Sequence, residues 1–535
     1  IYSKLYIFAK LKFDINTKVS ASLELYERIS NLGQKITEAN SYFIPYLLSL
    51  NESTLKNYIE QVEGLKIYKN KLFNAFKFKK HTLEKKQEEI LSQMEVSLSS
   101  PKRIFDILYN IDIEFGEVSY EDKTEKLTRD SYSKLIISDN RDIRKAAFKA
   151  FYEPYTKLNN TLAAIFSTSV RNKVHIAKIR NYSSAIEKEL YSDEVPLEVY
   201  ENLIKTTKTN IMPLQKHAEI YKKLLGLENL SQYDLSVPIV QSHRNFISYE
   251  EGFSTLVKSL EPFGEEYIAA LMEFKEKRYI DVRETPGKRS GAYNIGLYGV
   301  HPFILLNYKD DLVSLFTLAH EIGHGVHSLF SAKNQPMVNS KYSTLIAEVA
   351  SSVNEIMLMR YLLEKVDNEE TKKQLLNHII IGFKGSFYTQ VMFAEFEKII
   401  HEKVENGELL SAEVLNTTYE NIFTTYNKDV YDEELKYGWS RIPHFYRPFH
   451  VYKYAIGYLS AMYIADKILS GDKNILDNYL IFLKSGCSKP PLELLRSIGI
   501  DLTSPEPINY ALDIFSGLVD EFSSFINEYV SSPSS

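Results

Sequence analysis

The chain has 535 residues, of which 44% are apolar and 25% charged, enough for a sizeable core and too balanced for disorder. Its 70 acidic and 64 basic side chains leave a formal charge of −6, so it lacks the global positive field that nucleic acid or an anionic membrane requires. The single cysteine, Cys487, excludes an intramolecular disulfide and suits a reducing compartment.

The chain opens Ile1-Tyr2-Ser3-Lys4-Leu5, without methionine and without the basic, apolar and small-residue succession of a signal peptide. It reads as starting inside an element, with part of its N-terminal region missing. Apolar residues three and four apart then recur almost throughout, which predicts a mainly α protein. A first block of helices runs to about Ser100 and closes on Ser97-Leu98-Ser99-Ser100-Pro101. Its last helix, around Leu83 to Val96, carries Glu84, Lys85, Lys86, Glu88 and Glu89, a solvated charged face. From Pro101 to about Lys277 the helical pattern continues, including Arg141 to Tyr152 and Leu197 to Leu224.

The texture changes between Arg278 and Tyr308. Aromatic and β-branched residues alternate there with Gly287, Gly291, Gly296 and Gly299, and the segment ends in Phe303-Ile304-Leu305-Leu306-Asn307-Tyr308. This predicts a small β-sheet. Glycine at 291 and 296 lets another backbone approach closely, so the segment reads either as a plain hairpin or as an edge that holds an extended peptide. Helices resume afterwards, apart from a loop-like passage from about Lys436 to Pro448. The most apolar long stretch, Val451 to Leu469, is interrupted by Lys453, Asp466 and Lys467 and is too polar to span a bilayer. The expectation is a soluble, cytoplasmic protein with neither membrane nor nucleic acid as partner.

The chemistry concentrates after the glycine-rich segment. Residues 309 to 324 read as a helix, with Asp310 or Asp311 capping its first turn. It contains His320-Glu321-Ile322-Gly323-His324. Histidines four apart lie one turn above each other, so both aim a ring nitrogen at one metal ion, and Glu321 lies beside them within reach of a metal-bound water. A metzincin would need Gly three and His six residues after His324; His327 and Phe330 stand there instead. His327 falls on another face and reads as a structural or cleft residue.

A catalytic zinc site needs a third protein ligand. The next helical pattern, Thr344 to Glu355, holds Glu348 among small and apolar residues, where an acidic group is costly unless paired or metal-bound. Glu348 is therefore the expected third ligand, and Glu355, two turns further on, the partner that orients a ligand histidine. Two histidines and a carboxylate suit zinc, and also cobalt or manganese.

His320 to His324 followed by Glu348-Val349-Ala350-Ser351 resembles the M3 family of thimet-type oligopeptidases, most closely its oligoendopeptidase F branch. The passages Gly287 to Tyr293, Pro302 to Asn307, Ile442 to Tyr446, Val451 to Ala455 and Thr503 to Pro507 are similar to that branch as well. The resemblance implies a large multi-helix zincin-type peptidase around a deep substrate channel, with the small β-sheet next to the HExxH helix. It implies an N-terminal helical region at 1–120 and a catalytic domain at 121–535. It assigns one zinc ion per chain to His320, His324 and Glu348, and the general base to Glu321. It also tips Gly291, Ala292 and Tyr293 toward a substrate-binding edge.

From the later motifs it implies that a His and Tyr cluster polarises the scissile carbonyl, with His444 first, then Tyr452 and Tyr454. Two residues apart on a helix, the tyrosines point in different directions. His450 stands where the branch more typically has tyrosine. The implied activity is hydrolysis of internal bonds in short peptides. A carboxypeptidase or dipeptidyl carboxypeptidase also fits, since 23 residues separate His324 from Glu348. An inactive helical binding protein is the third reading. Oligomeric state is left open.

Overall fold

The computed structural model describes residues 1–120, 123–238, 246–430 and 432–531. The chain forms two compact units, each assembled from three separated segments. The first comprises Ile1–Thr82, His243–Lys365 and Ser460–Ile500; the second comprises Leu83–Ser242, Val366–Leu459 and Asp501–Ser535. Both are mainly helical. Among the described residues no helix is long and apolar enough to cross a membrane.

Five helices and a sheet position the residues of chemical interest: α1 (Tyr2–Ile15), α2 (Glu265–Glu276), α3 (Leu312–Asn334), α4 (Thr344–Lys365) and, in the second unit, α5 (Thr389–Glu405). Helix α3 starts where Asp311 accepts a hydrogen bond from the Ser314 N–H at 2.7 Å. Asp310 cannot share that role. Its backbone is left-handed (φ 55°) and its carboxylate is paired with Arg283 at 2.6 Å.

Helix α3 is apolar nearly all round and is accordingly buried on several faces, with Leu318, Ala319, Ile322 and Val326 fully enclosed. Its two glycines make this possible. A Cβ on Gly323 would lie 2.6 Å from the Ala350 carbonyl oxygen and the Ser351 Cα of α4; one on Gly325 would lie 2.7 Å from the Phe274 ring of α2. One glycine thus opens α3 to a neighbouring backbone and the other to a buried aromatic ring. Asn354, fully buried on α4, ties the group together by donating to the Ala319 carbonyl at 3.3 Å and accepting from the Tyr267 hydroxyl at 2.7 Å.

The glycine-rich segment forms a three-stranded sheet. Strands β3 (Ile280–Asp281), β4 (Tyr293–Ile295) and β5 (Phe303–Leu305) lie in the order β3-β5-β4, with β3 parallel and β4 antiparallel to β5. Strand β4 is therefore an edge. The loop before it is stapled to α1 by Asp14, which is buried and accepts from Tyr293 (2.7 Å) and pairs with Lys10 (2.5 Å) and Arg289 (3.4 Å).

Three local expectations are corrected. The block boundary at Ser97 to Pro101 is not a helix end, because one helix runs Lys85–Ile107 through Pro101. Proline removes the N–H that would bond the Ser97 carbonyl, and the Ser100 hydroxyl takes that acceptor at 2.7 Å. Inside the stretch read as helical, β1 (Glu117–Tyr120) and β2 (Lys123–Lys126) pair antiparallel, with Val118 buried. The passage from Lys436 to Pro448 is two short 3-10 helices, Glu433–Arg441 and Pro443–Tyr446, pinned by the buried rings of Trp439 and Phe445 packed on Phe166.

Gly323→Ala places a methyl group against backbone that has no rotamer to yield. The expected cost is about 1–3 kcal/mol of stability, together with weaker metal binding, read by thermal melting and metal titration. Gly325→Ala presses on a side chain instead and is expected to lower stability with a smaller effect on metal affinity.

Candidate metal centre

The close approach at Gly323 sets α4 beside the His320 to His324 face of α3. His320 Nε2 lies 3.2 Å from His324 Nε2 and 3.7 Å from Glu348 Oε2, and the three ligand atoms lie within 4.8 Å of one another. Ligands held ~2.0–2.1 Å from a tetrahedral zinc ion stand about 3.3 Å apart, so the donor set and spacing fit such an ion.

The ring orientations are set from behind. His320 Nδ1 hydrogen-bonds Glu355 Oε1 at 2.5 Å, and the His324 ring donates to the Ala347 carbonyl. Each histidine thereby keeps Nε2 for the shared point. Burial opposes a charge on His320, but the hydrogen bond to Glu355 and the charges of Glu355, Glu321 and Glu348 outweigh it, pushing its pKa up to about 9. His324 is driven the other way, well below its usual range, by burial and by the charge of His320. Burial raises Glu348, with His320 opposing.

Glu321 is buried at 7% exposure, and burial pushes it up to about 7, with His320 opposing and Glu348 and Glu355 adding. It accepts from the Asn294 backbone N–H on β4, while its Oε2 has no hydrogen-bond partner among the described residues. The metal-facing cluster and the sheet edge are thus joined directly. Two further residues complete that joint. The Ser328 hydroxyl, one turn beyond His324, bonds Asn294 Oδ1 at 3.2 Å and the Tyr342 hydroxyl at 2.8 Å, and Tyr342 also donates to the His324 carbonyl at 3.3 Å.

Of the other expected residues, Gly291 precedes β4 in a left-handed conformation (φ 83°), and its carbonyl accepts from Asn307 at 2.8 Å. Ala292 follows it into the strand, and the Tyr293 hydroxyl is committed to Asp14. The edge that faces Glu321 is therefore carried by Asn294. His327 is fully buried, stacked on Tyr342 with ring centres 3.7 Å apart, and burial lowers it to about 3.

His444, Tyr452 and Tyr454 belong to the second unit. Tyr452 is fully buried against Tyr200, whereas Tyr454 meets the exposed His444 edge to face at 6.0 Å. Partial desolvation and the charge of Arg447 lower the pKa of His444. The turn leading to this pair is held by Glu397 of α5, fully buried, which accepts from the N–H of Phe449, itself at φ 53°.

A family model described as Peptidase family M3 matches residues 134–514, and one described as Oligopeptidase F matches 47–115. The chain belongs to peptidase family M3. It is 39% identical over 521 residues to the oligopeptidase PepF of Bacillus subtilis, covering 97% of this chain and 78% of that one. It is 36% identical over 530 residues to an oligoendopeptidase F homolog of Lactococcus lactis, covering 98% and 88%. The crystal structure of oligoendopeptidase-F from Enterococcus faecium superposes with a TM-score of 0.78 at 31% identity, covering 98% and 91%. The chain is thus a peptidase of the oligoendopeptidase F branch, a metallo-oligopeptidase by family.

Glu355→Ala removes the partner that orients His320 and is expected to weaken metal binding about 10–100-fold, measured by competition with a chromophoric chelator. In the unaltered chain a metal ion bound at His320 would have to displace its proton. Apparent affinity should rise with pH, by about tenfold per unit for one proton, and flatten near pH 9.

Proposed function

We propose that the chain is a zinc-dependent oligoendopeptidase that hydrolyses internal bonds of short peptides, with one zinc ion on His320, His324 and Glu348 and with Glu321 as general base. The observation that carries this reading is the meeting of the three ligand atoms beside a buried glutamate with one unpartnered oxygen. A bound zinc ion supplies Lewis-acid polarisation of the carbonyl and acidifies a water at its open position.

The chain's own residues do the rest. The Asn294 N–H holds Glu321 in place, and its free Oε2 takes the proton from the attacking water as the carbon–oxygen bond forms. That unpartnered oxygen is placed to take the proton, and it returns it to the amine nitrogen as the carbon–nitrogen bond breaks. The products are a carboxylate and an amine. The motif resemblance adds His444 and Tyr454 as donors to the carbonyl oxygen; a neutral imidazole and a phenol suit that task, and one such donor contributes about 2.7–4 kcal/mol to catalysis. Tyr452 is assigned to packing. The substrate edge is assigned to β4, with Gly291 and Ala292 shaping the turn into it and Tyr293 anchoring it.

Glu321→Gln is expected to retain stoichiometric zinc while kcat falls about 10²–10⁴-fold; a Gln variant with near-native turnover would overturn the assignment. Peptides acetylated and amidated at their ends separate the endopeptidase from an exopeptidase. Mass spectrometry of products should show internal cuts that a chelator abolishes, and the absence of any cut in blocked peptides would favour the exopeptidase.

A further inference from the structure

A cavity of about 530 Å³ opens beside the edge of β4, within the first unit. It shares Asn294, Ser328 and Tyr342 with the metal centre and extends along the strand to Gly296. Since Asn294 touches Glu321, a peptide cleaved there and lying along this edge places a nearby side chain at the cavity. A strand advances about 3.3 Å per residue and alternates its faces, so one residue in two points the same way.

The wall of the cavity has a mixed character. Tyr68 and Met337 leave 41% and 66% of their surface exposed, giving it an apolar face. Lys71 and Lys341 also line it, and among the described residues no carboxylate does. Both lysines are exposed, and among the described residues neither forms an ion pair. With no carboxylate among the described lining residues, the two ammonium groups give the cavity a local positive potential that favours an anionic group of a bound peptide.

We propose that this cavity is a subsite for a carboxylate of the peptide, held by Lys71 and Lys341 against the Tyr68 and Met337 face, so that acidic peptides are the preferred substrates. The proposal rests on the peptidase reading of the metal centre. The carboxylate has two sources, an internal Asp or Glu side chain or the free C-terminus, and the same experiment separates them.

The test uses the zinc-loaded full chain and fluorogenic peptides that differ only by Glu or Gln at successive positions around the cut, each with an amidated or a free C-terminus. At one position Glu should exceed Gln by about three- to tenfold in kcat/KM, and the ratio should shrink in ~0.5 M salt. It should approach one in Lys71→Ala/Lys341→Ala and favour a Lys-containing peptide in Lys71→Glu/Lys341→Glu. A preference confined to peptides with a free C-terminus assigns the terminal carboxylate; one kept by amidated peptides assigns the side chain.

The same Glu to Gln ratio is read without turnover as the affinity of labelled peptides for the Glu321→Gln chain. Cleavage or binding with no preference for the carboxylate, or a preference that both double variants leave unaltered, overturns the subsite. Carboxylate-selective binding with no cleavage by the unaltered chain upholds the subsite and overturns the peptidase reading instead.

Discussion

The metal centre depends on one close approach of two backbones. Gly323 offers α4 no side chain, and Ala350 and Ser351 offer α3 nothing larger than a hydroxymethyl group, so the two helices meet at a separation that any Cβ on Gly323 would prevent. That contact sets the distance from Glu348 to the histidines. It also places Glu355 behind His320 and Asn354 under the Ala319 carbonyl, so candidate ligand, orienting carboxylate and structural tie all come from one helix. The arrangement is rigid because the contact is backbone against backbone, where no rotamer change relieves a misfit.

Electrostatics then select what this geometry holds. Glu321, Glu348 and Glu355 share one half-buried volume with two histidines, and burial raises Glu321 and Glu348. Without a cation the cluster keeps a proton on His320 to offset its negative charge. A divalent ion held by these residues would take over that role and leave both imidazoles neutral. The packing that enforces the geometry thus also creates the demand for positive charge at its centre. Glu321 lies at the border of this field, one oxygen held by the sheet and the other unpartnered.

Much of this was legible in the chain before folding. The i, i+4 histidines, the isolated Glu348 in an apolar pattern and Glu355 two turns further on are local facts of helical periodicity, which survive burial unaltered. Other features were hidden because they depend on pairs far apart in sequence. Nothing near Asn294 announces that its N–H meets Glu321. Ser328 carried a weak signal, lying four residues after His324 on the same face, but its partners Asn294 and Tyr342 did not. Glu397 looked like any acidic residue on a helix until its carboxylate met the Phe449 N–H. The break expected at Pro101 failed for a local reason, a serine hydroxyl replacing the lost donor.

The sequence by itself determined which residues are the candidate ligands, the helical character of their supports and the family to which the chain belongs, because these depend on residue type and spacing along single elements. Tertiary structure alone decided which oxygen of Glu321 is left unpartnered, which strand forms the free edge, and that Tyr454 rather than Tyr452 meets His444. These are outcomes of packing between elements: a helix face or sheet edge takes on a partner only when another part of the chain, distant in sequence, is brought against it.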